Sequence, residues 1–373
     1  MRILLWTSFL RSTYGGLETF IEVLVPRLVD RGHSIVIADE EWEAGLDEGV
    51  EEYAPGVPIV RLPRPEVAGA SPLEALDDGM RRVARLLAGF RPDLVHVCKA
   101  CPSLFYLLRA GARRPPLLFN LHGAHVAPLA DPHTLGGRVV RSADWIVACS
   151  RATLEHLCEL APEIRSRASV VYNGLPVPDG TPDAPSANPP RLVCLGRLHE
   201  EKGFDVALAA AARLSERWPD LEVILAGEGP ARDDLEALAQ RGRLAGRVSF
   251  PGWVAPSAVP ALLASATVVP VPSIHEGFGL VALEAALAAR PVVASRVEGI
   301  PEVVVDGETG ILVPPGDADA LAAAIGGLIA DPARARALGG RARALAIERF
   351  GVERCVDGYV EVYERIEGAG RPV

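Results

Sequence analysis

The sequence has little lysine. Of its 38 basic side chains 36 are arginine, and Lys99 and Lys202 are the two lysines. It also lacks a basic excess: the formal net charge is −10, which argues against a nucleic-acid-binding face. Long apolar runs are absent. The longest uncharged one, Ala320–Ala330, has 11 residues, against roughly 18 for a membrane span, so no transmembrane segment is expected. The start, Met1-Arg2-Ile3-Leu4-Leu5, enters a strand pattern without the apolar core and small-residue cleavage site of a secretory signal, and the expected location is cytoplasmic. Cysteine is sparse. Cys98 and Cys101 form a C-x-x-C, but no second such pair or His pair completes a zinc set. Cys98 ends a strand pattern and opens no helix, so buried, unpaired thiols are expected.

What is present is a soluble, globular composition, 49% hydrophobic and 23% charged over 373 residues. A single core stops growing at roughly 250–300 residues, so two domains are expected. Eight acids and no base fall between Asp39 and Glu52, a pattern that reads as a solvated loop.

Short apolar runs alternate with longer amphipathic ones. In the first half the strand candidates are Ile3–Thr7, Ser34–Ala38, Ile59–Leu62, Leu94–Val97, Leu117–Leu121, Trp145–Ala148 and Val170–Tyr172, with helical patterns such as Leu17–Asp30, Leu73–Ala88 and Arg151–Leu160 between them. Ser150 is a natural N-cap for the last. Continuous apolar strands separated by helices imply a parallel sheet covered on both faces. Pro176 to Pro190 then holds six prolines in fifteen residues, a density that neither helix nor strand survives. The alternation restarts with Leu192–Leu195, Glu222–Ala226, Val248–Phe250, Val268–Val271, Val292–Ala294 and Ile311–Val313, and three helical patterns, beginning at Ala318, Pro332 and Val352, close the chain. The expectation is an α/β protein of two doubly wound units: residues 1–176, a Pro-rich linker 177–190, and residues 191–351. Ligands in such folds bind beyond the carboxyl ends of the strands, and two facing units create a cleft.

Several residues carry chemistry. Gly15-Gly16-Leu17-Glu18 opens a helix after the first strand; it is either a phosphate-facing loop or a simple strand-to-helix turn. It is not a dinucleotide fingerprint, and Gly227-Glu228-Gly229 is only a partial match to one. His122 ends the Leu117–Leu121 strand and reads either as a hydroxyl-binding group or as a capped or surface imidazole. Arg197 and Lys202 share one strand-to-helix loop, where cations clamp a diphosphate. In an arginine-rich chain, a lysine there suggests that a compact ammonium is wanted. Glu276 and Glu284 lie eight residues apart around Gly277-Phe278-Gly279-Leu280. An all-helical stretch of that length would rise roughly 12 Å, close to the span from a sugar ring across a diphosphate to a ribose. The alternative is a helix whose acids favour its first turn. Lys99 follows a strand end and reads either as an acceptor-side group or as an exposed cation.

In this order, the elements Gly15-Gly16-x-Glu18, His122-Gly123, Asn173-Gly174, Gly196-Arg197, Glu201-Lys202-Gly203, Ala226-Gly227-Glu228-Gly229-Pro230, Val248-x-Phe250-x-Gly252, Glu276-x7-Glu284, Gly299-Ile300-Pro301-Glu302 and Asp306-Gly307-x-x-Gly310 resemble a retaining glycosyltransferase of family GT4 with the GT-B fold. The resemblance spans essentially the whole chain. It implies two Rossmann-like domains facing across a cleft, with the last helix, about 352–373, returning to the amino-terminal one. By resemblance, Arg197 and Lys202 bind the donor diphosphate with amides at Gly16, Phe278, Gly279 and Leu280. Glu276 holds donor-sugar hydroxyls, Glu284 the ribose, and His122 sits near the sugar C6 hydroxyl. Phe250 and Gly252 mark the loop at the base. His122, Arg197, Lys202 and Glu276 are thus the catalytic candidates.

The family chemistry is transfer of a hexose from a nucleoside-diphosphate sugar, here a UDP-sugar as expectation, to an acceptor hydroxyl with retention. It needs no metal or other cofactor, since cations and a helix dipole balance the leaving diphosphate. A small molecule, glycan or lipid remains open as acceptor. Gly123 stands where some relatives carry a polar residue. The rivals are a sugar-nucleotide 2-epimerase of the same fold, against which Glu276-x7-Glu284 and Glu201-Lys202-Gly203 argue, and a non-catalytic sugar-nucleotide binder, which the full donor set opposes.

Overall fold

The apolar runs of the first half form parallel strands because helices cover both of their faces. In the computed structural model, which describes residues 1–8, 10, 15–41, 51–63, 72–109, 114–123, 125–180, 188–241 and 244–368, these strands are β1 (Arg2–Ser8), β2 (Ser34–Glu41), β3 (Glu51–Ala54), β4 (Val57–Pro63), β5 (Leu94–Val97), β6 (Leu117–Leu121), β7 (Trp145–Ala148) and β8 (Ala168–Val170). They form one sheet in the order β3-β4-β2-β1-β5-β6-β7-β8, parallel except for the β3–β4 pair. One face carries Trp6, Ala38, Val97 and Phe119 into a core closed by helices Pro72–Phe90, Leu104–Arg109 and Leu135–Ser142. On the other face, His96 and Asn120 meet Tyr363 and Tyr359 of the last helix, Val352–Gly368. Ser150 caps helix Arg151–Leu160 by accepting the Thr153 N–H.

Two expectations are corrected here. The strand expected at Val170–Tyr172 lies two residues earlier, and β3 had no apolar signal because Glu51-Glu52 sit on an edge strand, where charge is tolerated. Residues 42–50 of the acidic stretch lie outside the described residues. Its first two acids are not solvated: Asp39 and Glu40 are fully buried. Asp39 is held by Arg61 and the Leu10 N–H, and Glu40 accepts the Ser103 N–H.

The second half adds β9 (Arg191–Leu195), β10 (Glu222–Ala226), β11 (Val248–Gly252), β12 (Val269–Val271), β13 (Val292–Ser295) and β14 (Gly310–Val313). They pair as β11-β10-β9 and β12-β13-β14. A bridge between Leu192 and Val268, with the Thr267 N–H donating to the Arg191 carbonyl at 2.8 Å, joins the two ladders. The resulting order β11-β10-β9-β12-β13-β14 reverses direction between β9 and β12. That is the switch point beyond which open α/β sheets bind ligands.

The chain forms two compact units, Met1–Tyr172 with Cys355–Val373, and Asn173–Arg354. Residues 181–187 of the Pro-rich segment lie outside the described residues. All six cysteines are buried and free. Among the described residues, no helix is long and apolar enough to cross a membrane.

Candidate active site

The loops after β9 and β12 meet at the switch point of the second unit. Beyond β9, Arg197 leads into a single turn, Glu200–Lys202, that ends at Gly203 in a left-handed conformation (φ 63°) and opens helix Phe204–Leu214. Glycine is required there twice over. The φ is one that side chains resist, and a Cβ would stand 2.2 Å from the Pro272 carbonyl oxygen. The two loops therefore touch backbone to backbone, and the Ile274 N–H donates to the Glu201 carbonyl at 2.7 Å.

Across this contact Lys202 Nζ donates to Glu276 Oε2 at 2.7 Å, and Ser273 Oγ donates to the same oxygen at 3.2 Å. Both partners of the ion pair are partly buried, with side-chain exposures of 22% and 19%. Arg197 is more open and pairs with Glu201 at 2.8 Å. The structure thus brings Arg197, Lys202 and Glu276 into one locus.

Gly279, also left-handed at φ 97°, begins helix Leu280–Leu287. The spacing from Glu276 to Glu284 is therefore half turn and half helix, and the uniform helical rise applies only from Leu280. Helix starts leave N–H groups unpaired at the positive dipole end. Phe278 is buried with its ring edge-on to Phe350 at 5.5 Å, so it offers backbone, not side chain, to a ligand. Glu284 is the one charged residue of this core helix. Its carboxyl has no hydrogen-bond or ionic partner among the described residues, and burial pushes it up to about 7. A half-buried carboxyl without a protein partner is one that a hydroxyl-bearing ligand would satisfy.

The raised carboxyl of Glu284 also bears on stability. The folded carboxyl stays neutral to about pH 7, whereas the unfolded one ionises near its ordinary 4.5. Stability therefore falls as pH rises through that window and stays low above it. Glu284→Gln is expected to raise the melting temperature at pH 8 and to leave it unchanged at pH 4. Melting curves at the two pH values check this, and an equal shift at both would refute it.

The residues expected at the base, Phe250 and Gly252, are turned inward. Phe250 packs on the hydrophobic core of the second unit. Gly252 is buried at φ 79°, where a Cβ would lie 2.6 Å from Glu228 Oε1. Contacts beyond β11 thus come from backbone and from the residues that follow, of which Trp253 is 47% exposed.

In the first unit, Gly16 starts helix Gly16–Asp30 after the extended N-cap Gly15. His122 follows β6, and its ring lies 4.5 Å from that of Phe20. Both of its ring nitrogens are buried without a partner, and burial pushes its pKa down to about 3. It is neither the capped nor the surface imidazole that the sequence allowed, but a neutral ring with two unmet hydrogen bonds. Lys99 is exposed just beyond β5, next to β1, where this sheet reverses its own order. Ser273 and Glu298, which accepts the Glu276 N–H at 3.0 Å, were missed by the sequence reading; neither carries a motif signal of its own. Among the described residues no group of three or more His, Cys, Asp or Glu is placed to hold a metal ion.

Two Rossmann-like units, one with a cation–carboxylate pair on its switch point, place the chain among two-domain α/β proteins that comparison narrows further. Residues 14–177 match the family described as Glycosyltransferase Family 4, and residues 189–331 match Glycosyl transferases group 1. A GDP-mannose-dependent alpha-(1-6)-phosphatidylinositol monomannoside mannosyltransferase of Mycolicibacterium smegmatis is 30% identical, over 93% of this chain and 94% of its own. A glycogen synthase of Mycobacterium tuberculosis is 29% identical, over 94% and 91%. Among solved structures, sucrose-phosphate synthase from Thermosynechococcus elongatus matches with a TM-score of 0.85 at 24% identity, covering 99% of this chain and 100% of that one. Anabaena HepE in complex with UDP and glucose matches at 0.76 and 22%, covering 98% and 99%. The chain belongs to the family 4 glycosyltransferases, with their GT-B fold.

Proposed function

We propose that this glycosyltransferase moves a hexose from a nucleoside-diphosphate sugar, a UDP-sugar in our assignment, to an acceptor hydroxyl with retention of configuration and without a divalent metal. The observation that carries the reading is the Lys202–Glu276 pair on the switch point, with the half-buried Glu284 carboxyl eight residues further on. In this reading the donor diphosphate draws Lys202 away from Glu276. The ammonium and Arg197 then face phosphate oxygens, assisted by backbone amides at Gly16, Phe278, Gly279 and Leu280. The freed Glu276 carboxylate accepts sugar hydroxyls, and Glu284 accepts those of the ribose. His122, neutral, takes a sugar hydroxyl at C6, and Lys99 lies on the acceptor side. Charge that grows on the leaving phosphate meets the two cations and the helix start, which do the work a metal does elsewhere. The leaving phosphate takes the acceptor proton.

HepE was solved with UDP-glucose and the mycobacterial relative is named for GDP-mannose, so those two donors head the test. Melting curves are recorded with UDP-glucose, other UDP-sugars, GDP-mannose and ADP-glucose. A donor at a hundred times its Kd stabilises by about 2.7 kcal/mol, several degrees in melting temperature. The UDP-sugars are expected to give the largest shift. GDP-mannose in first place would reassign the base, and no shift from any donor would overturn the reading. With the selected donor, release of the nucleoside diphosphate is expected to be unaffected by EDTA. Loss with the chelator and rescue by magnesium or manganese would refute metal independence. Conversion of the donor sugar without acceptor, seen by NMR, would instead mark an epimerase.

A further inference from the structure

Glu298 lies in the loop after β13, beside the loop that carries Glu276. Its backbone holds φ 26°, a left-handed conformation that favours glycine and strains other side chains. Both of its carboxylate oxygens are engaged. Oε2 accepts the Glu276 N–H at 3.0 Å, and Oε1 lies 2.8 Å from His275 Nδ1. The next residue completes the bracket: the Gly299 N–H donates to the Glu276 carbonyl at 3.2 Å. A Cβ at Gly299 would stand 2.2 Å from the Gly277 oxygen, so the two loops lie in backbone contact. Both backbone groups of Glu276 are thus fixed by residues 298 and 299, while its side chain is held by Lys202 and Ser273.

We infer that Glu298 is a positioning residue for the donor sugar: it staples the loop after β12 to the loop after β13 and so sets where the Glu276 carboxylate stands. The strain explains why this is a role and not an accident of folding. A glycine would relax the backbone at that φ, and the glutamate is tolerated because its two oxygens hold His275 and Glu276. Small displacements of a positioning group are costly in turnover, while the nucleoside diphosphate, which in the reading above is held by Lys202, Arg197 and Glu284 besides the amides of Phe278, Gly279 and Leu280, leans less on the staple than the sugar does. The inference rests on that reading of Glu276.

The test uses the full-length protein with Glu298→Gly, Glu298→Gln and, in parallel, Glu276→Ala. Three quantities are measured: melting temperature, affinity for UDP (or GDP, if the donor screen selects guanosine), and the rate of nucleoside-diphosphate release from the selected donor. Glu298→Gly relieves the strained backbone, so it is expected to remain folded with a melting temperature close to wild type. Its nucleoside-diphosphate affinity should stay within about twofold, and its release rate should fall about tenfold or more. Glu298→Gln keeps an acceptor for the Glu276 N–H and a partner for His275, and should recover the rate to within about threefold. A Glu298→Gly enzyme that keeps its rate, or that loses nucleoside-diphosphate affinity by the same factor as rate, overturns the staple. So does failure of Glu298→Gln to recover the rate in a folded protein. If Glu276→Ala itself keeps the rate, the reading of the donor site falls, and this inference with it. If Glu276→Ala fails and Glu298→Gly does not, only the inference falls.

Discussion

Lys202→Ala is expected to lower kcat/KM by about 30- to 900-fold, the equivalent of roughly 2–4 kcal/mol for losing a donor to a growing negative charge. The geometry argues for the upper part of that range. Lys202 is the one cation paired with Glu276 among the described residues. Without it the partly buried carboxylate keeps Ser273 as a side-chain donor and faces the incoming diphosphate as a like charge. Lys202→Arg should recover only part of the loss, because a planar guanidinium does not fill the place of a compact ammonium in a loop whose backbone abuts Pro272. Steady-state kinetics with the selected donor decide the matter. A loss below about threefold would leave the pair as a surface salt bridge, of the kind worth about 0–1 kcal/mol.

The second large effect separates the two glutamates. At pH 8, where its carboxyl is ionised, Glu284→Ala is expected to weaken the free nucleoside diphosphate about ten- to a hundredfold, since a charged acceptor for two hydroxyls is lost, worth roughly 1.5–3 kcal/mol. Glu276→Ala should leave that affinity unchanged, because the free nucleotide has no sugar to hold, and should still depress turnover strongly. If the two acids served only the helix, both variants would melt earlier and lose modestly on every ligand. The structure makes the contrast sharper. Glu276 precedes the helix, whose first residue is Leu280, and the Glu284 carboxyl, pushed up to about 7 without a partner, disfavours the folded state at neutral pH. Calorimetric titration of each variant with the nucleoside diphosphate, alongside its melting curve, reads both quantities. Equal weakening by the two variants would place the donor elsewhere.

Much of this was legible before the fold was known, for identifiable reasons. β5, β6, β7 and β10 begin and end where the apolar runs do, because a strand buried on both faces is mostly apolar, and the buried exceptions His96 and Asn120 are met by Tyr363 and Tyr359. Lys202 stood out because ammonium is rare in this chain. What escaped depends on contacts distant in sequence. β3 is an acidic edge, Asp39 is paired with Arg61 from β4, and the state of His122 is set by burial, to which Phe20, on a helix roughly a hundred residues earlier, contributes. Glu298 was invisible because its function lies in a backbone angle and two hydrogen bonds, neither of which a local pattern encodes.

The way the second unit's sheet is assembled bears on how the enzyme acquires its donor site during folding. Strands β9 to β11 and β12 to β14 are each consecutive in sequence and pair among themselves, so each ladder closes only its own helical crossovers. The ladders meet at Arg191, Leu192, Val193, Thr267 and Val268, and the helices around them close one hydrophobic core. Lys202 belongs to one ladder and Glu276 to the other, so neither half holds a donor site alone. Docking of the halves is the event that creates it. A bound nucleotide sugar that touches both halves would act as a clasp, and its imprint should be slowed amide exchange at Val193 and Thr267, well away from any atom the ligand contacts.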